Sequence, residues 1–92
     1  MTLYYPVILK KLAHTYRAEF CDLDGCYGEG KDMEDALDDA RNEGISYILS
    51  ELDSDALLPP HSDVEEISLE KGEQVVMLAL VLPREENWNW LG

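Results

Sequence analysis

Few side chains in this sequence could do chemistry, and their spacing rules out more than it suggests. The 92-residue chain has two cysteines, Cys21 and Cys26, and two histidines, His14 and His61. A structural zinc site needs four thiolate or imidazole ligands, and no second Cys pair or His cluster stands near Cys21 and Cys26. The cysteines flank a turn signal and could approach each other across a hairpin. A disulfide there would close a very short loop and add little stability, so they read as free thiols in a reducing compartment. Neither histidine has a Ser or Cys placed to make it a catalytic base, and both fall in predicted turns or loops at the surface. Asp22-Leu23-Asp24-Gly25 has the opening of a calcium loop, but the later ligands and the closing bidentate Glu are not at the required spacing. The expectation is therefore no catalytic residues, no cofactor and no metal ligands, and a protein that is not an enzyme.

The charge is more informative. Lys and Arg number 7 against 20 Asp and Glu, a formal net charge of −13. Nucleic-acid binding draws most of its free energy from Lys and Arg releasing counterions from phosphates, so a chain of this balance is repelled by nucleic acid and by anionic membranes. Its electrostatic partner is a basic protein surface, with opposite charge speeding encounter. Between Asp32 and Asp55 stand nine acids (Asp32, Glu34, Asp35, Asp38, Asp39, Glu43, Glu51, Asp53 and Asp55) and one base, Arg41. The competing reading of so much acid is a solvated face that maintains solubility.

The elements that must carry these groups follow from periodicity. Leu3 to Leu9 reads as a strand, and Pro6 inside it places that strand at an edge or starts it beyond the proline. His14 to Phe20 alternates, with Tyr16, Ala18 and Phe20 on one face and Thr15, Arg17 and Glu19 on the other, as a half-buried strand does. Asp24-Gly25 signals a tight turn, and Cys26 to Gly30 returns as a third strand in which Gly28 and Gly30 point to a bulge or a close backbone approach. Asp32 is a helix N-cap, with Glu34 and Asp35 at the positive end of the helix dipole. Met33, Leu37, Ala40, Tyr47, Ile48 and Leu52 then form an apolar stripe on a helix from about Met33 to Leu52, with Gly44 permitting close packing on the sheet. Leu57 to Ser62, with Pro59 and Pro60, is a loop. Val64 to Glu73 is irregular and ends in a turn at Lys71-Gly72-Glu73. The apolar run Val75 to Leu82, closed by Pro83, reads as a strand covered on both faces.

The fold class is α+β in the order β-β-β-α-β: an antiparallel three-stranded meander, a helix across one face and a final strand. One domain spans residues 1–82 and a tail spans 83–92. With 46% hydrophobic residues in periodic segments the chain is not disordered. No apolar run approaches the length of a membrane span, and Met1-Thr2-Leu3-Tyr4-Tyr5-Pro6 lacks the basic and apolar regions of a signal peptide. A cytoplasmic location is expected.

With the elements placed, the sequence resembles the HicB antitoxin family over residues 3 to 82. The resemblance rests on Tyr5-Pro6-Val7-Ile8, on Tyr16-Arg17-Ala18-Glu19-Phe20-Cys21-Asp22-Leu23-Asp24-Gly25-Cys26, on Gly30-Lys31-Asp32-Met33-Glu34-Asp35-Ala36-Leu37, and on Leu58-Pro59-Pro60. Cys21 and Asp24 stand where the family commonly has prolines. The resemblance implies a partly complete RNase H-like fold and a protein that neutralises HicA, a small basic RNA-cleaving toxin, by covering its active side. Members often carry a DNA-binding segment after the last strand. Here Pro83 to Gly92 contains one basic residue, Arg84, so no direct nucleic-acid binding is expected from this chain.

The RNase H analogy invites a search for metal-holding carboxylates. Glu19, Asp22, Asp24, Asp38 and Asp39 fall on a strand, a turn and a helix, and no spacing singles out a set. The candidate partner-binding residues are instead Asp35, Asp38, Asp39 and Glu43, facing basic toxin residues, together with Trp88 and Trp90. Tryptophan is a common interface anchor, and the pair is expected to pack on a neighbouring subunit or on the domain's own sheet. A homo-oligomer is expected. Two alternative functions remain: an oligomeric HicB-like module without a toxin, and an acidic inhibitor of another basic protein.

Overall fold

In a computed structural model of the chain, which describes residues 1–54 and 57–83, four strands form one antiparallel sheet with a single long helix on one face. The elements are β1 (Thr2–Lys11), β2 (Tyr16–Phe20), β3 (Tyr27–Gly30), α1 (Met33–Asp53), a 3-10 turn at Val64–Glu66 and β4 (Gln74–Val81). The spatial order is β3-β2-β1-β4, so the first three strands form the expected meander and the last lies beside the first. The tail with Trp88 and Trp90 lies outside the described residues.

Alternation along each strand creates the core. Tyr5, Val7 and Leu9 of β1, Ala18 and Phe20 of β2, and Leu78 and Leu80 of β4 are buried beneath α1, where they meet Ala36, Ala40 and Ile48. The helix starts where Asp32 caps it, its carboxylate accepting from the Asp35 N–H at 2.8 Å. The apolar stripe holds except at its first member, since Met33 is 45% exposed. Gly28 and Gly30 are close approaches rather than a bulge. A Cβ on Gly28 would land on the backbone of Ala40 and Asp39, and one on Gly30 would meet Ala36 and Asp35. Gly44 lies against Phe20 and Leu80 in the same way, as the packing of helix on sheet requires.

The structure corrects two expectations. First, β1 is an interior strand, paired with β2 from Val7 to Lys11 and with β4 from Thr2 to Leu9. Pro6 is tolerated there because of where its nitrogen points. Its carbonyl accepts from the Cys21 N–H on the β2 side, at 3.2 Å, and its nitrogen faces the same side, one residue beyond the last β1–β2 pair. The strand is interior, but the proline sits where β2 has run out and one ladder bond at most is forgone. Second, among the described residues β4 is an edge strand with one open face. The helix covers Leu78 and Leu80, whereas Met77 and Val81 on the other face are 41% and 63% exposed. A continuous apolar run hid this, because it lacks the polar alternation that normally marks a solvated face.

Candidate functional site

The site begins with the helix that the glycine contacts press onto β3. Asp35, Asp39 and Glu43 recur every four residues along α1 in a row that flanks the buried Ala36, Ala40 and Gly44, and Asp38 stands one residue before Asp39, further round from the sheet. Asp38, Asp39 and Glu43 are exposed and Asp35 is half-buried. The structure thus brings together the four acids singled out by the sequence.

They are not equivalent. The Asp38 carboxylate forms an ion pair with Arg41, one helical turn on, at 2.7 Å. Asp39 accepts the backbone N–H of Glu29 at 2.9 Å and so caps the outer edge of β3. Asp35, Asp39 and Glu43 face no cation within ion-pair distance among the described residues. Their charge is unbalanced, and that makes the helix face an attractor for a basic surface.

The opposite face of the sheet is balanced instead. Lys10 reaches Glu19 at 2.9 Å and Glu73 at 3.5 Å, and these contacts, led by the hydrogen bond to Glu19, hold its ammonium above the usual lysine range. The Arg17 guanidinium lies 3.1 Å from Glu19 and stacks over the Tyr27 ring at 3.9 Å from its centroid. Glu19 therefore serves two cations, one on β1 and one on β2. Asp22 is also engaged. It accepts the Ser62 N–H at 2.8 Å and the Ser62 hydroxyl at 2.5 Å, tying the proline loop to the turn after β2. Tyr5 donates its hydroxyl to the Pro59 carbonyl at 2.5 Å in the same region, and burial raises its pKa. Sequence reasoning took Asp22 only as a turn residue. Its partner lies 40 positions on, and no local spacing signals such a contact.

Among the described residues, no three of His, Cys, Asp and Glu are gathered to hold a metal ion. An open concavity beside the β2–β3 turn is lined by Arg17, Glu19, Phe20, Gly25, Cys26 and Tyr27. Its thiol is a poor nucleophile, because burial, and secondarily the Glu43 carboxylate, push the Cys26 pKa up to about 11. Burial raises Cys21 too, with Asp22 adding to it, and both cysteines are free. His14 and His61 are exposed. No helix of the described residues is long and apolar enough to cross a membrane.

The fold is shared with known proteins. Three solved structures are similar in fold. One is a HicA3 and HicB3 toxin-antitoxin complex, with a TM-score of 0.67 at 19% identity over 89% of this chain and 100% of that one. A toxin-antitoxin complex from Streptococcus pneumoniae gives 0.76 at 20% identity, over 95% of this chain and 73% of that one. The N-terminal domain of the Burkholderia pseudomallei antitoxin HicB gives 0.69 at 18% identity, over 83% of this chain and 95% of that one. Identities this low establish the fold alone, and the RNase H-like description fits it broadly. No curated protein sequence matches. The model of a family described as HicB-like antitoxin of bacterial toxin-antitoxin systems matches residues 5–83, from β1 through the end of β4. On the strength of that match across nearly the whole described chain, this protein belongs to the HicB-like antitoxin family.

Proposed function

We propose that the protein is the antitoxin of a HicA/HicB-type pair, which binds a small basic RNA-cleaving toxin and masks the side that engages RNA. The observation that carries this reading is the family match from β1 through β4. Two of the solved structures similar in fold are toxin-antitoxin complexes, which supports the same partner class. The unbalanced acids of α1 support a basic partner. Asp35 and Glu43 contribute charge alone, Asp38 shares its charge with Arg41, and Asp39 serves both the partner and the β3 edge. Trp88 and Trp90 are the second candidate contact. The protein acts by stoichiometric binding rather than turnover, in the cytoplasm where toxin and RNA meet.

The test is co-expression with the small basic protein encoded beside it. The neighbour alone arrests growth, co-expression restores it, and the two proteins leave a gel-filtration column together. If the neighbour is harmless, or the two elute separately, the reading fails.

A further inference from the structure

The two edges of the sheet are finished differently. On β3 the outward Glu29 N–H is capped by Asp39, and the strand is four residues long. Among the described residues the β4 edge is left open. The Leu82 N–H donates to the Met1 carbonyl at 2.8 Å, so the even-numbered residues of β4 face β1. Val75, Met77, Ala79 and Val81 therefore turn both N–H and C=O outward, since both groups of a residue in an antiparallel ladder point the same way. No described strand lies beyond them. The stretch Gln74 to Pro83 has no charge, no bulge and no proline before its last residue. Natural edges normally carry such features to prevent pairing.

We propose that a second copy of this chain docks on this edge by antiparallel β4–β4 pairing about a two-fold axis at Leu78, joining two sheets into one of eight strands. The boundaries of the open edge set the register. Before Val75, the next outward residue is Glu73, whose N–H is already given to the Glu70 carbonyl. After Val81, the next is Pro83, which has no N–H. Four consecutive outward residues are thus available, and only the register centred on Leu78 pairs all four with all four. Val75 then faces Val81 of the second copy and Met77 faces its Ala79, with two hydrogen bonds per pair.

Charge selects the occupant. On a chain of net charge −13, the uncharged β4 edge is where a like-charged copy can approach without acid meeting acid. Glu73, the nearest described acid, is held by Lys10 at 3.5 Å and would lie opposite Pro83. A basic partner gains nothing from this edge and much from α1, which packs mainly on the β3 and β2 side of the sheet. Self-pairing thus leaves the toxin-facing acids free and does not depend on the toxin-binding reading.

The test is sedimentation equilibrium of the full chain over a range of concentrations, with residue-resolved amide exchange on the same samples. A monomer–dimer equilibrium is expected, in which the Val75, Met77, Ala79 and Val81 amides gain protection as the dimer forms. Two double variants check the register. Met77→Lys with Ala79→Lys sets like charges opposite each other twice and weakens the dimer about tenfold or more. Met77→Lys with Ala79→Glu sets opposite charges there and holds the dimer within about threefold of wild type. Both change only side chains on the open face, and far-UV circular dichroism confirms that both fold. A chain monomeric throughout overturns the proposal. So do four amides protected equally at every concentration, which means the chain covers its own edge. Protection that appears only on adding a basic protein assigns the edge to that partner, and a lysine–glutamate variant no tighter than the double-lysine one refutes the register.

Discussion

Replacing Gly28 by alanine tests how the acidic helix is held in place. A methyl group there would fall on the Ala40 N and Cα and the Asp39 carbonyl carbon, well inside van der Waals contact. All three atoms belong to the backbone of α1, so no rotamer change relieves the clash and the helix itself must move off β3. Overpacking a tight core site costs about 1–3 kcal/mol where side chains can shift. With rigid backbone on the other side, the upper end of about 3 kcal/mol is expected. That is a large share of the roughly 5–9 kcal/mol available to a domain of this size. The melting temperature then falls by about 10–20 °C and the urea midpoint by about 1–3 M. Gly44→Ala is the control. Its added methyl would meet Phe20 Cζ at 2.6 Å and the Leu80 methyls at 3.1 Å, all side-chain ends. Alanine also regains up to about 1 kcal/mol of helix propensity, so the net loss is about 0–1 kcal/mol. Urea unfolding followed by circular dichroism measures both variants. If Gly28→Ala comes within about 1 kcal/mol of wild type, or Gly44→Ala is the worse of the two, the packing argument is wrong.

Asp22→Ala removes both hydrogen bonds to Ser62 and is expected to cost about 1–3 kcal/mol by urea unfolding. It also makes the loop at 57–62 more susceptible to proteolysis. Asp39→Ala loses the cap on Glu29 and costs about 1 kcal/mol, while Asp39→Asn keeps a carbonyl acceptor and costs less than half as much. If the two variants are equally destabilised, the cap contributes nothing. Cys26 resists alkylation in the folded protein at pH 8, with a rate that climbs towards pH 11, and Glu43→Gln shifts that profile to lower pH. The linked stability has a definite sign. A thiol whose folded pKa is raised favours the protonated state, so its contribution is complete below the unfolded thiol pKa of about 8.5 and is lost as pH rises towards 11. A stability flat across that window would contradict the assignment.

The order and type of the elements were legible because each carries a local signal: alternation in Tyr16 to Phe20, the Asp24-Gly25 turn, and the Asp32 cap followed by a helical stripe. The glycines were legible in part, since Gly28 and Gly30 in a strand imply either a bulge or a close approach, and only the packed helix decides for the latter. What escaped was set by neighbours distant in sequence. Pro6 marks an edge in most strands. Here it sits in an interior strand because β2 ends one residue short of it, and only the register reveals that. The Val75 to Leu82 run reads as doubly covered, yet among the described residues one helix covers one face of the sheet. At the site, the sequence correctly clustered the acids on α1. It could not show that Asp39 also holds the β3 edge, because that depends on how the helix rotates against the sheet, whereas the Asp38–Arg41 pair follows from i,i+3 spacing within the helix.

The central claim is that the acidic face of α1 disarms a basic RNA-cleaving toxin. The most direct measurement is a titration of RNA cleavage by the purified neighbouring toxin with wild-type protein and with a variant carrying Asp35→Asn, Asp38→Asn, Asp39→Asn and Glu43→Gln. Wild-type protein is expected to abolish cleavage at one equivalent. The folded variant should need at least about tenfold more, with the difference shrinking at high salt as screening removes the charge advantage. Cleavage that persists under excess wild-type protein would contradict the antitoxin assignment, and a variant as potent as wild type would place the contact on a different surface.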